Sequence, residues 1–92
     1  MNIEIYGIPE ELHRCWGCFQ AVKLLKEKDI DFVFYPVLIS ADNDLGFAYD
    51  RPRIEELAKR AGARSLAFSY PRIFADGVLI GGYKNLVELI GD

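Results

Sequence analysis

Both cysteines of this chain fall within one tetrapeptide, Cys15-Trp16-Gly17-Cys18, and that placement decides how the rest must hold together. A chain of 92 residues buries roughly 60–65% of the surface its unfolded form exposes, so domains this small often lean on disulfides or metals. A bridge from Cys15 to Cys18 closes a loop too short to staple a fold, because chain-entropy stabilisation grows with loop length. Stability has to come from packing the 51% of residues that are hydrophobic around one core, since the chain is too short for two. We expect a single domain over residues 1–92, in which the cysteine pair is chemistry rather than architecture.

Eleven basic side chains against fourteen acidic ones leave a net charge of −3, which gives no general attraction to nucleic acid or to an anionic membrane. The longest apolar run, Phe32 to Ile39, is interrupted by Pro36, and Glu4 stands where an export signal would carry positive charge. Neither a membrane span nor a signal peptide is expected, and the chain is assigned to the cytoplasm. In a reducing compartment a Cys-x-x-Cys pair is usually catalytic or metal-binding.

The order of strand-like and helix-like segments places this pair. Residues 2–6 alternate polar and apolar and end at Gly7 and Pro9, as a short strand does. From Cys15 to about Lys28, Cys18, Ala21, Val22 and Leu25 recur at helical spacing, so the cysteines sit at a helix N-terminus. Residues 31–38 are a second strand, and Pro36, unable to donate a ladder hydrogen bond, puts it at a sheet edge. Residues 40–50 read as an acidic, irregular connection, followed by a helix from Pro52 to Ala61 that Gly62 ends. Ile73 to Ala75 and Val78 to Ile80 flank Asp76-Gly77, a strong hairpin signal. Gly81-Gly82 then turns into a last helix, Tyr83 to Ile90. A helical crossover makes the first two strands parallel and the hairpin makes the last two antiparallel. The expected fold is α/β, a mixed four-stranded sheet with three helices in the order β-α-β-α-β-β-α.

A thiolate is the nucleophile in thiol–disulfide exchange, and free cysteine, near pKa 8.5, is mostly protonated at neutral pH. The first backbone N–H groups of a helix lack intrahelical acceptors and carry partial positive charge, so they can stabilise a sulfur anion at Cys15. Cys15 is therefore predicted to attack, with a depressed pKa. Cys18, one turn on and on the same helix face, is predicted to resolve the mixed disulfide. His13 brings the nitrogen and sulfur ligands to three within six residues, short of the four of a closed zinc site. His13 itself reads as an exposed residue before a helix or as a cation favouring the thiolate, and Arg14 as a modest electrostatic contributor. Trp16, between the two sulfurs, is placed to touch whatever reaches them.

Cys15-Trp16-Gly17-Cys18 at a helix start, Ser69-Tyr70-Pro71 further on, and Phe74-x-Asp76-Gly77-x-x-Ile80-Gly81-Gly82-Tyr83 together resemble a glutaredoxin, and the likeness covers nearly the whole length. The opening Ile5-Tyr6-Gly7, the His13-Arg14 lead-in and the long acidic connection are most similar to the small glutaredoxins of T-even-type bacteriophages. The resemblance implies a thioredoxin-like fold, a cis Pro71, no bound prosthetic group, and glutathione as electron-donating co-substrate. In such a site the Tyr70 backbone pairs with an extended peptide, and glutathione lies along Trp16, Tyr70, Pro71, Gly81, Gly82, Lys84 and Asn85. Lys59, Arg60, Arg64 and Arg72, with no acidic residue between Ala58 and Ala75, suit its two carboxylates. The implied function is a monomeric dithiol glutaredoxin that reduces protein disulfides, ribonucleotide reductase among them, in the host cytoplasm if phage-encoded.

The chain departs from the usual pattern at three places. Trp16-Gly17 replaces Pro-Tyr, Ser69-Tyr70-Pro71 replaces Thr-Val-Pro, and Asn85 stands where an aspartate often holds the γ-glutamyl amine. These departures motivate a rival, a thioredoxin reduced by a flavoprotein thioredoxin reductase. The gap from thioredoxin, near −270 mV, to glutaredoxins, near −200 to −230 mV, is only about 2–3 kcal/mol. A non-catalytic partner-binding module with incidental thiols is the alternative from another class, and a metal or iron–sulfur carrier is a third.

Overall fold

The computed structural model describes residues 1–91, and its main sheet has the strand order β2-β1-β5-β6. Strand β1 (Ile3–Gly7) runs parallel to β2 (Phe32–Pro36), with Ile3 opposite Phe32 and Gly7 opposite Pro36. On its other side β1 pairs antiparallel with β5 (Arg72–Ala75), Ile5 facing Ile73. Strand β6 (Val78–Gly81) returns beside β5 through Asp76 and Gly77, both at positive φ, which lets a two-residue turn match the strand twist. As Pro36 requires, β2 is an edge.

Alternation along the strands sends side chains to two faces. Ile3, Ile5 and Ile73 pack with Ala21, Leu24 and Leu25 of α1 (Trp16–Glu27) and Leu86 of α3 (Tyr83–Ile90). Tyr6 and Phe74 point the other way, onto Ile54 and Leu57 of α2 (Arg51–Ala61) and Val37. Helix α2 starts where Asp50 accepts from the Arg53 N–H at 3.3 Å, and stops at Gly62 in the left-handed region, φ 67°. The mixed four-stranded sheet with helices on both faces is the thioredoxin-like arrangement expected.

One expectation is corrected. The stretch 40–50 is not an irregular connection: β3 (Leu38–Ser40) and β4 (Phe47–Tyr49) pair antiparallel as a second, two-stranded sheet. Asn43 builds the turn, its Oδ1 accepting from the N–H of Leu45 at 3.1 Å and of Gly46 at 2.8 Å, and its Nδ2 donating to the Phe47 carbonyl at 3.0 Å. Strands of three residues carry no readable period, which is why the segment looked unstructured.

On the α2 face the Tyr6 hydroxyl donates to Glu56 and accepts from Arg60 at 2.9 Å, while Arg60 also grips Glu4 through two N–H bonds of 3.1 and 2.8 Å. The Arg60 bond holds the Glu4 carboxyl below its ordinary value, and the Tyr6 bond does the same for Glu56. Burial, then the bond to Glu56, pushes the Tyr6 phenol up to about 12. Carboxylates depressed in the folded state stabilise it fully above the ordinary value of 4.5 and lose that contribution as pH falls through the folded values. Urea unfolding between pH 7 and pH 3 is thus expected to show falling stability. Arg60→Met, which removes the guanidinium and its bonds to Glu4 and Tyr6, is expected to cost about 1–2 kcal/mol at pH 7 and to flatten the acid limb.

Candidate active site

Cys15 is the N-cap of α1, in extended conformation, and its sulfur accepts from the Cys18 N–H at 3.3 Å. The helix thus directs an orphan backbone donor at the very sulfur that a nucleophile would need stabilised. Cys15 and Cys18 are joined as a disulfide with their Cα atoms 5.3 Å apart. Cys15 is partly exposed, whereas Cys18 is buried, and its sulfur accepts from the Ile8 N–H at 3.4 Å just beyond β1. One sulfur therefore faces outward and the other is packed behind it, the asymmetry that attack and resolution require.

The segment before β5 closes over this pair. The Tyr70–Pro71 peptide is cis, and the Tyr70 carbonyl lies 3.8 Å from the Cys15 sulfur. Gly17 permits the approach: a Cβ there would stand 2.9 Å from Pro71 Cδ, closer than packed atoms come. Gly7 is squeezed similarly, its hypothetical Cβ 3.0 Å from the Phe34 ring and 3.3 Å from the Cys18 sulfur. Even one added carbon is crowded at both positions, most severely at Gly17.

The remaining candidate residues gather around the start of α3. Trp16 is 68% exposed and meets Tyr83 edge to face with ring centroids 5.4 Å apart, so α1 and α3 touch at their N-terminal ends. Gly81 has φ 121° and leaves no room for a side chain against Asn85. Asn85 is engaged within its own helix, its Oδ1 accepting from the Gly82 N–H at 3.0 Å. Lys84 is exposed on the first turn of α3. Of the four cations of the 59–72 stretch, Arg72 reaches this turn: its Nε donates to the Pro71 carbonyl at 3.1 Å and its guanidinium borders Gly82. Arg60 is held on the opposite side of the sheet by Glu4, and Lys59 and Arg64 are exposed.

Near Tyr70 stand His13, which the sequence singled out, and Tyr49, which it did not. His13 is exposed, its ring 5.5 Å from that of Phe47, so the β3–β4 hairpin leans on the lead-in to the cysteines. Tyr49, two residues along β4 on the same face, stands near Tyr70. Burial raises the Tyr70 phenol above its ordinary value, and Tyr49 adds to this. The sequence marked Trp16-Gly17 as a departure without pointing to the Gly17 contact, and an isolated Phe-Ala-Tyr gives no sign of a hairpin.

No protein-family model matches the chain. Among curated proteins it is 54% identical over 89 residues to the "uncharacterized 11.8 kDa protein in Gp55-nrdG intergenic region" of Enterobacteria phage T4, covering 97% of this chain and 84% of the relative. It is 30% identical over 87 residues to the glutaredoxin of the same phage, covering 92% and 94%. The crystal structure of glutaredoxin 1 from Francisella tularensis, complexed with cacodylate, superposes with a TM-score of 0.63 over 97% of this chain and 91% of that one, at 20% identity.

Asn85→Ala is expected to lower the unfolding free energy by about 1 kcal/mol through loss of the α3 cap, while Asn85→Asp, an equally good cap at a helix N-terminus, holds it. Thermal melts of the two variants beside the parent check this.

Proposed function

The chain belongs to the glutaredoxin family and is a thiol–disulfide oxidoreductase, and from that premise we propose that it is a dithiol glutaredoxin drawing electrons from glutathione. The observation that carries this is the sulfur asymmetry at the helix start: Cys15 partly exposed at the N-cap, Cys18 buried one turn behind. The reduced Cys15 thiolate attacks one sulfur of a substrate disulfide, and the other substrate sulfur leaves as a thiolate and takes up a proton. The Cys18 thiolate then attacks Cys15, releasing the second substrate thiol and leaving the Cys15–Cys18 disulfide. Two glutathione molecules return the two electrons and depart as glutathione disulfide.

Glutathione is proposed to lie along Trp16, Tyr70, Pro71, Gly81, Gly82, Lys84 and Asn85. The Tyr70 backbone would pair with its extended peptide, and Arg72 and Lys84 supply charge for its carboxylates. The Asn85 amide, neutral and engaged in its own helix cap, offers the γ-glutamyl ammonium no ion pair. That observation favours a second reading, in which a flavoprotein thioredoxin reductase supplies the electrons. Disulfide-bearing proteins are the proposed targets, a ribonucleotide reductase among them, and the T4 relative's naming by its nrdG neighbourhood is compatible with that. No helix among the described residues is long and apolar enough to cross a membrane, and a monomer acting in the cytoplasm as one domain over 1–92 is the proposed working form.

Cys15→Ser is expected to abolish exchange with every substrate, and Cys18→Ser to keep reduction of glutathione mixed disulfides while losing dithiol reduction of proteins. Turnover coupled to glutathione and glutathione reductase, compared with turnover coupled to thioredoxin reductase and NADPH, separates the two electron sources. Asn85→Asp is expected to lower the KM for glutathione severalfold at low salt, since a new ion pair at an exposed site contributes up to about 1 kcal/mol.

A further inference from the structure

A cleft of about 830 Å³ lies against the Tyr70 segment, with Tyr70 as its link to the cysteine site. One wall is Tyr49 on the β3–β4 hairpin, the other is Leu66, Phe68 and Tyr70, and His13 and Arg51 stand at its rim. Its size falls within the range of pockets that hold a substantial ligand group. Tyr49 is 67% exposed and Leu66 38%, so two large side chains at the cleft are open to solvent. The Phe68 and Tyr70 rings, centroids 6.4 Å apart, give it an aromatic floor.

Two features say what covers it. The first is continuity with the reacting sulfur: Tyr70 lines the cleft, and its carbonyl is 3.8 Å from the Cys15 sulfur. An extended chain advances about 3.3 Å per residue, so a side chain within two positions of a cysteine bound at Cys15 reaches the cleft. Residues 67–69 belong to no helix or strand among the described residues, which leaves backbone beside the cleft for such a chain to follow. The second is charge. No carboxylate lines the cleft among the described residues, while Arg51 is 74% exposed and tied to Glu55 only by a solvent-exposed pair at 3.6 Å.

We propose that this cleft selects the protein substrate: it seats a bulky apolar side chain from an extended, acidic segment, next to the cysteine that Cys15 attacks. The inference rests on the oxidoreductase function and adds its substrate class. Tyr49 and Leu66 hold the apolar side chain, and Arg51 meets a carboxylate further along. Neither Tyr49 nor Leu66 touches the sulfurs, so substrates lacking the side chain react without them.

The test uses reduced full-length protein and short synthetic peptides whose single cysteine carries thionitrobenzoate as a mixed disulfide, followed by release of the coloured thiolate. Phenylalanine is scanned through the two positions on each side of the cysteine in a glycine background, with and without a glutamate beyond it. Phenylalanine at one position is expected to raise the second-order rate about tenfold over the all-glycine peptide, the discrimination that one well-seated apolar group provides. Glutamate is expected to add a gain that high salt or Arg51→Gln removes. Tyr49→Ala and, independently, Leu66→Ala are expected to cancel the phenylalanine preference and leave the all-glycine rate unchanged. Equal rates for phenylalanine and glycine at every position would overturn the proposal, as would a Tyr49→Ala variant that slows all peptides alike. Failure of the parent protein to react with any peptide would overturn the oxidoreductase function itself, a result distinct from reaction without preference.

Discussion

The site depends on how closely the start of α1 approaches the Tyr70–Pro71 segment. Gly17 sits against Pro71 with no room for a Cβ, and that contact sets the Cys15 sulfur beside the Tyr70 carbonyl. It is held from behind by packing rather than by the disulfide. Leu24 and Leu25 fix α1 on Ile3, Ile5 and Ile73, and Ile73 follows Pro71 by two residues on β5. The helix and the proline are thus positioned by one apolar layer, and a bridge closing so short a loop adds little to it. On this packing, opening the disulfide is expected to leave the frame around it folded.

The opposite face of the sheet supplies a different kind of order. Glu4 and Tyr6 on β1 meet Arg60 of α2, Tyr6 also donates to Glu56, and the Tyr35 hydroxyl on the edge strand donates to Glu4 at 3.0 Å, with Arg60 also lying 4.1 Å from the Phe74 ring centre. This polar cluster registers α2 on the sheet above the apolar contacts of Ile54 and Leu57. Helix α2 in turn is entered through β4, because Asp50, its cap, directly follows Tyr49, and the Asp50 N–H donates to the Val37 carbonyl at 2.8 Å. The placement of the hairpin beside the cysteines is therefore inherited from the placement of α2.

Much of this was legible in the residues, for reasons that differ by element. Helix α3 was readable to its ends, Tyr83 to Ile90, because glycines punctuate both sides, and the β5–β6 hairpin because Asp76-Gly77 has few other uses. The cysteines could be placed at a helix start from periodicity alone. The β3–β4 hairpin could not, since its turn is made by the side chain of Asn43 rather than by a dipeptide signature. Arg60 and Arg72 look alike in a sequence, yet Glu4, fifty-six residues away, draws one to the far face and the Pro71 carbonyl keeps the other at the site. Nor could Asn85 be read as a helix cap until the Gly82 N–H was seen to lie against it.

The proposed function turns on the α1 N-terminus making Cys15, rather than Cys18, the nucleophile. The direct measurement is the pH dependence of alkylation of the reduced protein by iodoacetamide, with the labelled cysteine identified by peptide mass. On that proposal Cys15, the sulfur that accepts from the Cys18 N–H, is modified first and at lower pH than a free cysteine near 8.5, while buried Cys18 reacts slowly. A Cys15 midpoint at the free-cysteine value, or labelling of Cys18 ahead of it, would contradict the account.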